Sequence, residues 1–255
     1  MTIIGLCAAI FLGLVSGISI GCIGIGGVIL VPALVQIGGI PIHTAIASAM
    51  AGYILTGLIG TAVFLKKGTL DWPSARLLWI GAMPAAILGA IAAKAAPPFL
   101  LELIVALLTT FTGLQSLARR RAPLDEQTSK FVLSKSTGIT VGAVTGFLSA
   151  LTGTGGPVVL VPVLLWLEVP VLIAIGLAQA IQLPIAVLAT ISNAANGTLN
   201  LPLALGLGAG LIVGAWFGAR LAHMLNQRVL RRIVAAVLIG IGVLLLFRII
   251  RGFIG

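Results

Sequence analysis

"GCIGIGGVILVP", residues 21–32, decides the fold. It is a glycine cluster inside an apolar run from about Ile3 to Ile37. "LTGTGGPVVLVP", residues 151–162, repeats it inside a second run, 136–167. Glycine inside a helix costs roughly 0.5–1 kcal/mol relative to alanine, so two clusters in matching places mark breaks that the fold requires. An unbroken helix over the first run would be about 52 Å long at 1.5 Å per residue, against a hydrocarbon core of about 30 Å. Broken at the glycines, each run is expected to form two short arms of a hairpin that enters and leaves by one face. Non-helical backbone at membrane depth is tolerated only where protein or a watery cavity covers it. The two tips should therefore meet near the midplane.

Composition puts the chain in a bilayer. Of 255 residues, 60% are hydrophobic and 8% charged, against about 25% charged in soluble domains. The excess of Lys and Arg, 15 against 5 Asp and Glu, lies in short clusters between apolar segments. It reads as a topology signal beside lipid headgroups, with no nucleic-acid partner. No positive n-region or small-residue cleavage pattern marks a removable leader. Cys7 and Cys22 lie in apolar surroundings and suggest neither a disulfide framework nor a metal site.

Further apolar segments run over 42–65, 74–94, 98–118, 170–194, 203–222 and 229–250, with a basic linker at 119–135. A shift of 129 residues superposes one half of the chain on the other. Gly17, Gly24, Gly26 and Gly27 fall on Gly146, Gly153, Gly155 and Gly156; Pro41 falls on Pro170; "GTLDWP" (68–73) falls on "GTLNLP" (197–202). Gly81 and Gly89 fall on Gly210 and Gly218. Glycines and prolines in fixed register point to a tandem duplication.

Charge predicts how the halves lie. The loop 66–76 is basic and its mate at 195–205 uncharged, whereas 94–102 is balanced and its mate around 220–232 carries four arginines. If the first segment of each half makes no net crossing, 12 cations share one face and 3 the other. With every segment crossing once, the split falls to 10 against 5. The expected fold is thus an all-α polytopic membrane protein of two inverted four-segment repeats, each opening with a glycine-broken hairpin. Both termini lie outside and the linker in the cytoplasm.

A half-helix that begins at the midplane presents free backbone N–H groups and the positive end of its dipole, which suits a small anion. The candidate binding residues are Gly24, Gly26, Gly27, Gly153, Thr154, Gly155 and Gly156. Hydroxyls at Ser19, Ser149 and Thr152 are possible further donors, and Pro157 suits a first helical turn. The competing reading of the glycines is close helix packing through small residues. Gln179 and Gln182 need partners in an apolar helix, either another helix or a substrate. Other polar groups follow the tips: His43, Thr44, Ser48, Tyr53 and Thr56 in half one, and Thr190, Ser192 and Asn193 in half two. His43 reads as interfacial, and His223 as part of a basic loop. Glu102 and Glu168 read as helix starts, and no carboxylate relay crosses the segments. No HExxH, CxxC or phosphate-loop lysine is present, so no enzyme, metal or cofactor is read.

The chain resembles the TauE/SafE (sulfite exporter) family of membrane transporters. "GIGGVILVPAL" (24–34) and "GTLDW" (68–72), repeated as "GTGGPVVLVPVLL" (153–165) and "GTLNL" (197–201), carry the resemblance together with the central linker. It implies movement of a small sulfur-containing anion, such as sulfite, sulfoacetate or a related organosulfonate, across the bacterial inner membrane. Thr154 and Pro157 stand in half two where half one has Ile25 and Val28, so the tips are not equivalent. The expected function is a secondary transporter with the anion at the tips. An anion channel on the same scaffold and a non-transporting membrane scaffold are the rival readings.

Overall fold

The computed structural model describes residues 3–24, 27–36, 38–92, 133–152 and 154–226 as continuous stretches, with scattered helical positions over 103–114 and 229–247. The expected segments at 98–118 and 229–250 and the linker at 119–135 fall largely outside the described residues. Among the described residues the regular structure is helical. The helices are α1 (Ile3–Ile23), α2 (Gly27–Gln36), α3 (Ile42–Lys66), α4 (Trp72–Ala92), α5 (Lys135–Thr152), α6 (Pro157–Trp166), α7 (Val171–Ala195) and α8 (Leu201–Met224). Four helices are long and apolar enough to cross a membrane, namely those over Gly5–Ile23, His43–Lys66, Val171–Ala195 and Leu201–Met224.

Local structure follows the 129-residue register closely. α7 spans the residues 129 on from α3, and each begins after a proline, Pro41 or Pro170, with φ −53°. The "GTL" turns are built from the same bonds. Gly68 and Gly197 take φ 70° and 69°, the left-handed conformation that ends helices without a Cβ penalty. Thr69 and Thr198 return both their N–H and their hydroxyl to the carbonyl five residues back, Phe64 or Asn193. Asp71 then accepts from Ser74 N–H at 3.0 Å, and Asn200 from Leu203 N–H at 3.1 Å, to cap the next helix. The motif is a complete helix stop and start. Asn200→Ala is expected to cost about 1 kcal/mol, read as a lower melting temperature in detergent with flux retained.

The packing crosses between the halves. α1 lies along α8 with Gly13, Gly17 and Gly21 against Leu207, Leu211 and Ala215. The numbers rise together, so the two helices run parallel. α4 and α5 do likewise, with Gly142 and Gly146 against Leu78 and Ala82. α3 and α7 run antiparallel at the centre: Gly57 meets Leu183, Gly60 meets Gln179, and Phe64 meets Gly176. Pro184 leaves the carbonyl of Ala180 without its usual helical donor, and the Trp79 indole N–H from α4 supplies one at 2.9 Å.

The hairpin arms are unequal, which the sequence reading did not foresee. α1 and α5 have 21 and 18 residues, while α2 and α6 have 10 each. The glycine stripes explain the long arms, because each keeps its full length in contact with a partner helix of the other half. The short arms are sheltered: on α6, Pro157 through Pro162 and Leu164 are all buried. Outward faces carry large apolar side chains such as Phe11, Leu88, Ile91, Ile191 and Phe217, as a lipid environment demands.

Lys66, Lys67, Arg76, Lys135 and Arg220 gather at one end of the bundle. Two bonds bring their elements together there. Leu133 N–H donates to Ser74 Oγ at 2.9 Å, and Thr69 Oγ1 lies 2.8 Å from His223 Nε2. His223 stands on the last turn of α8, in place of the expected loop, and packs against Phe64 with the rings tilted by 56° and their centroids 4.6 Å apart. Glu168 occupies the turn before α7 with φ 64°.

Candidate functional site

α5 ends at Thr152, whose hydroxyl donates to Leu148 O and lies 2.8 Å from Thr154 Oγ1. Gly155 and Gly156 follow with φ 82° and 107°, a region that residues with a Cβ enter only under strain. They reverse the chain, and the Gly156 carbonyl accepts from Val159 and Leu160 N–H to start α6. In half one, Gly24 N–H closes α1 on Ile20 O at 2.8 Å, and α2 begins at Gly27.

The two tips touch. A methyl built on Gly27 would lie 2.6 Å from Thr154 O, and one on Gly24 would lie 3.1 Å from Val161 Cγ2. Flanking this contact are Tyr53 and Gln182, each the twelfth residue of a 25-residue helix. The tips thus meet at mid-length of the central antiparallel pair. The Tyr53 hydroxyl donates to Gly27 O at 3.4 Å, and its ring covers Gly155. Gln182 is 1% exposed, with Nε2 beside Gly155 and with Oε1 buried and unpartnered.

Other expected residues fall in different places. Gln179 donates to Ile20 O at 2.5 Å, the same carbonyl that ends α1, and its Oε1 rests against Gly60. That is a clamp on the end of α1. Ser149 is buried with no partner for its hydroxyl. Ser19 turns back onto Val15 O within its own helix. Ser48 and Thr56 also reach backbone carbonyls, those of Asn200 and Tyr53. Thr190 Oγ1 is unpartnered, and His43 is exposed at the start of α3. Gly26 and Gly153 lie outside the described residues. Tyr53 was absent from the sequence-derived set of binding residues. The signal for it was present, since it is the chain's single tyrosine and stands 129 residues before Gln182.

Chemically, the contact is polar and uncharged. Among the described residues no Asp, Glu, Lys or Arg is buried. What surrounds the tips is backbone amide, two threonine hydroxyls, a phenol and a carboxamide. These are hydrogen-bonding groups at the centre of the bundle, with no nucleophile–base pair among them.

A helical bundle with apolar outer faces and broken helices meeting at its centre is the architecture of a membrane transporter. The chain belongs to the Sulfite exporter TauE/SafE family, which it matches over residues 9–245. It is similar to "Probable membrane transporter protein YunE" of Bacillus subtilis, 26% identical with 86% of this chain and 88% of the relative covered. It is also similar to "Probable membrane transporter protein YdhB" of the same organism, 26% identical over 91% and 96% of the two chains. A "Probable membrane transporter protein" of Xylella fastidiosa strain Temecula1 is 27% identical over 97% of each. No solved structure matches the chain significantly.

Proposed function

We propose that this transporter carries a small sulfur-containing anion, such as sulfite, sulfoacetate or a related organosulfonate, across the bacterial inner membrane by alternating access. The anion binds at the tips, among Gly27, Thr154, Gly155, Gly156 and Gln182. The observation that carries the reading is the contact of Gly27 with the Thr154 carbonyl at mid-length of α3 and α7. Breaks from both halves converge there on uncharged polar groups, which suit an oxyanion better than a metal cation.

The two halves, 1–118 and 136–255 about the linker 119–135, are inverted repeats in this proposal. Its support is directional. α3 and α7 hold equivalent places in the register and run oppositely, while α1 lies parallel to α8 and α4 to α5. The cation-bearing end then faces the cytoplasm, with both termini outside. Reporter fusions at Gly255 and in the linker are expected on opposite sides of the membrane.

The functional test is sulfite flux into proteoliposomes with and without an imposed pH gradient. Saturable, counterflow-capable flux is the expected result, and a pH response would assign a coupled proton. Flux linear in concentration would favour a channel. Folded protein that moves none of sulfite, sulfoacetate or other sulfonates would sink the substrate reading.

A further inference from the structure

We infer that Tyr53 is the latch that holds the two tips closed, a positioning residue whose withdrawal admits the anion. The inference rests on the tips being the transport site. Tyr53 is wholly buried, and it joins parts of both halves. Its hydroxyl donates to Gly27 O on the tip of half one, while its ring lies on Gly155 at the tip of half two. Gln182, at the equivalent place on α7, has its Nε2 beside Gly155 of its own half. The latch is a residue of α3.

Among the described residues, the contact it guards is tight at Gly27. A single added methyl on Gly27 would fall 2.6 Å from Thr154 O and 3.0 Å from the phenol oxygen, so an anion of three or more oxygens enters only when the tips part. Parting them lifts the Tyr53 ring from Gly155, while its hydroxyl and Gly27 O stay together in half one. At 3.4 Å the contact with Gly27 O is longer than the usual O–H···O bond of about 2.5–3.0 Å, so an anion oxygen replaces that carbonyl as acceptor at little cost. The hydroxyl exchanges one acceptor for another, and the ring uncovers Gly155 beside the buried Gln182 amide. Binding and opening become one event.

The test uses the full chain in proteoliposomes with a single thiol, from Cys7→Ser, Cys22→Ala and Thr154→Cys, and a water-soluble maleimide. With no sulfoacetate present, Tyr53→Leu is expected to raise the labelling rate at least tenfold, and Tyr53→Phe, which keeps the ring, about threefold. Unchanged rates in both variants overturn the latch. A parallel thiol from Ala174→Cys, in the buried core, monitors the fold. If it gains reactivity in step, the rise reports unfolding and the latch is rejected. Sulfoacetate, which unlike sulfite does not add to the maleimide, is a separate arm. Faster labelling of the Tyr53 variants without protection by sulfoacetate keeps the latch and rejects sulfoacetate as the ligand; protection without faster labelling keeps the anion site and rejects the latch.

Discussion

Gly27→Leu abolishes sulfite flux, and Gly27→Ala lowers it at least tenfold, in protein that still assembles. These are the expected results at the tip contact. The obstacle at Gly27 is the backbone carbonyl of Thr154, 2.6 Å from the first added carbon, with Tyr53 Oη at 3.0 Å. A carbonyl in a tight turn cannot rotate away as a flexible side chain would, so the tips are wedged apart. Gly156 tests the same tip by another cause. A methyl there would meet Ile181 and Ile185 at an ordinary 3.4 Å, but φ 107° strains any residue with a Cβ by about 1–3 kcal/mol. Gly156→Ala should therefore lower the melting temperature as well as flux, whereas Gly27→Ala should act more on flux. Wild-type flux in both Gly27→Leu and Gly156→Ala would remove the site from the tips.

Much of this arrangement was legible in the chain. The glycine clusters located both breaks, because few other signals outweigh the cost of glycine in an apolar helix. The "GTL" turns and the prolines at 41 and 170 located the starts of α3, α4, α7 and α8, since each carries its own stop or cap chemistry. The cation loops anticipated the gathering of Lys66, Lys67, Arg76, Lys135 and Arg220 at one end. The length of α1 was not legible. Gly13, Gly17 and Gly21 sit four residues apart, and their use depends on α8, nearly 200 residues away. Tyr53 stood out only as the single tyrosine, 129 residues before Gln182, and its role did not show. Its partners are a carbonyl and a glycine on separate tips, and neither has a side chain to leave a pattern. Gln179 and Gln182 looked alike as neighbouring carboxamides in one apolar helix. Only the fold separates them, giving Gln179 the Ile20 carbonyl and leaving Gln182 at the tips.

Gly214→Leu is expected to yield no monodisperse protein. A carbon added at Gly214 falls onto the carbonyl of Leu14 and within 2.7 Å of Ile18 N. The surrounding atoms are all backbone of a parallel helix, so relief requires α1 and α8 to separate along their length. Even Gly214→Ala should cost about 1–3 kcal/mol, as overpacking of a close contact does, and Gly142→Ala should cost as much at the equivalent crossing of α4 and α5. Gly240→Ala is the control, because a Cβ there meets nothing within 4 Å, and its melting temperature should equal or slightly exceed the parent's, since alanine is favoured over glycine in a helix. A Gly214→Leu protein that melts with the parent would mean that the stripes do not touch. The same contacts bear on transport. Each stripe fastens the first helix of one half to the fourth helix of the other, so α1 moves with α8 and α4 with α5. Opening at the tips is then expected between these crossed pairs, along the α3–α7 crossing where Tyr53 stands.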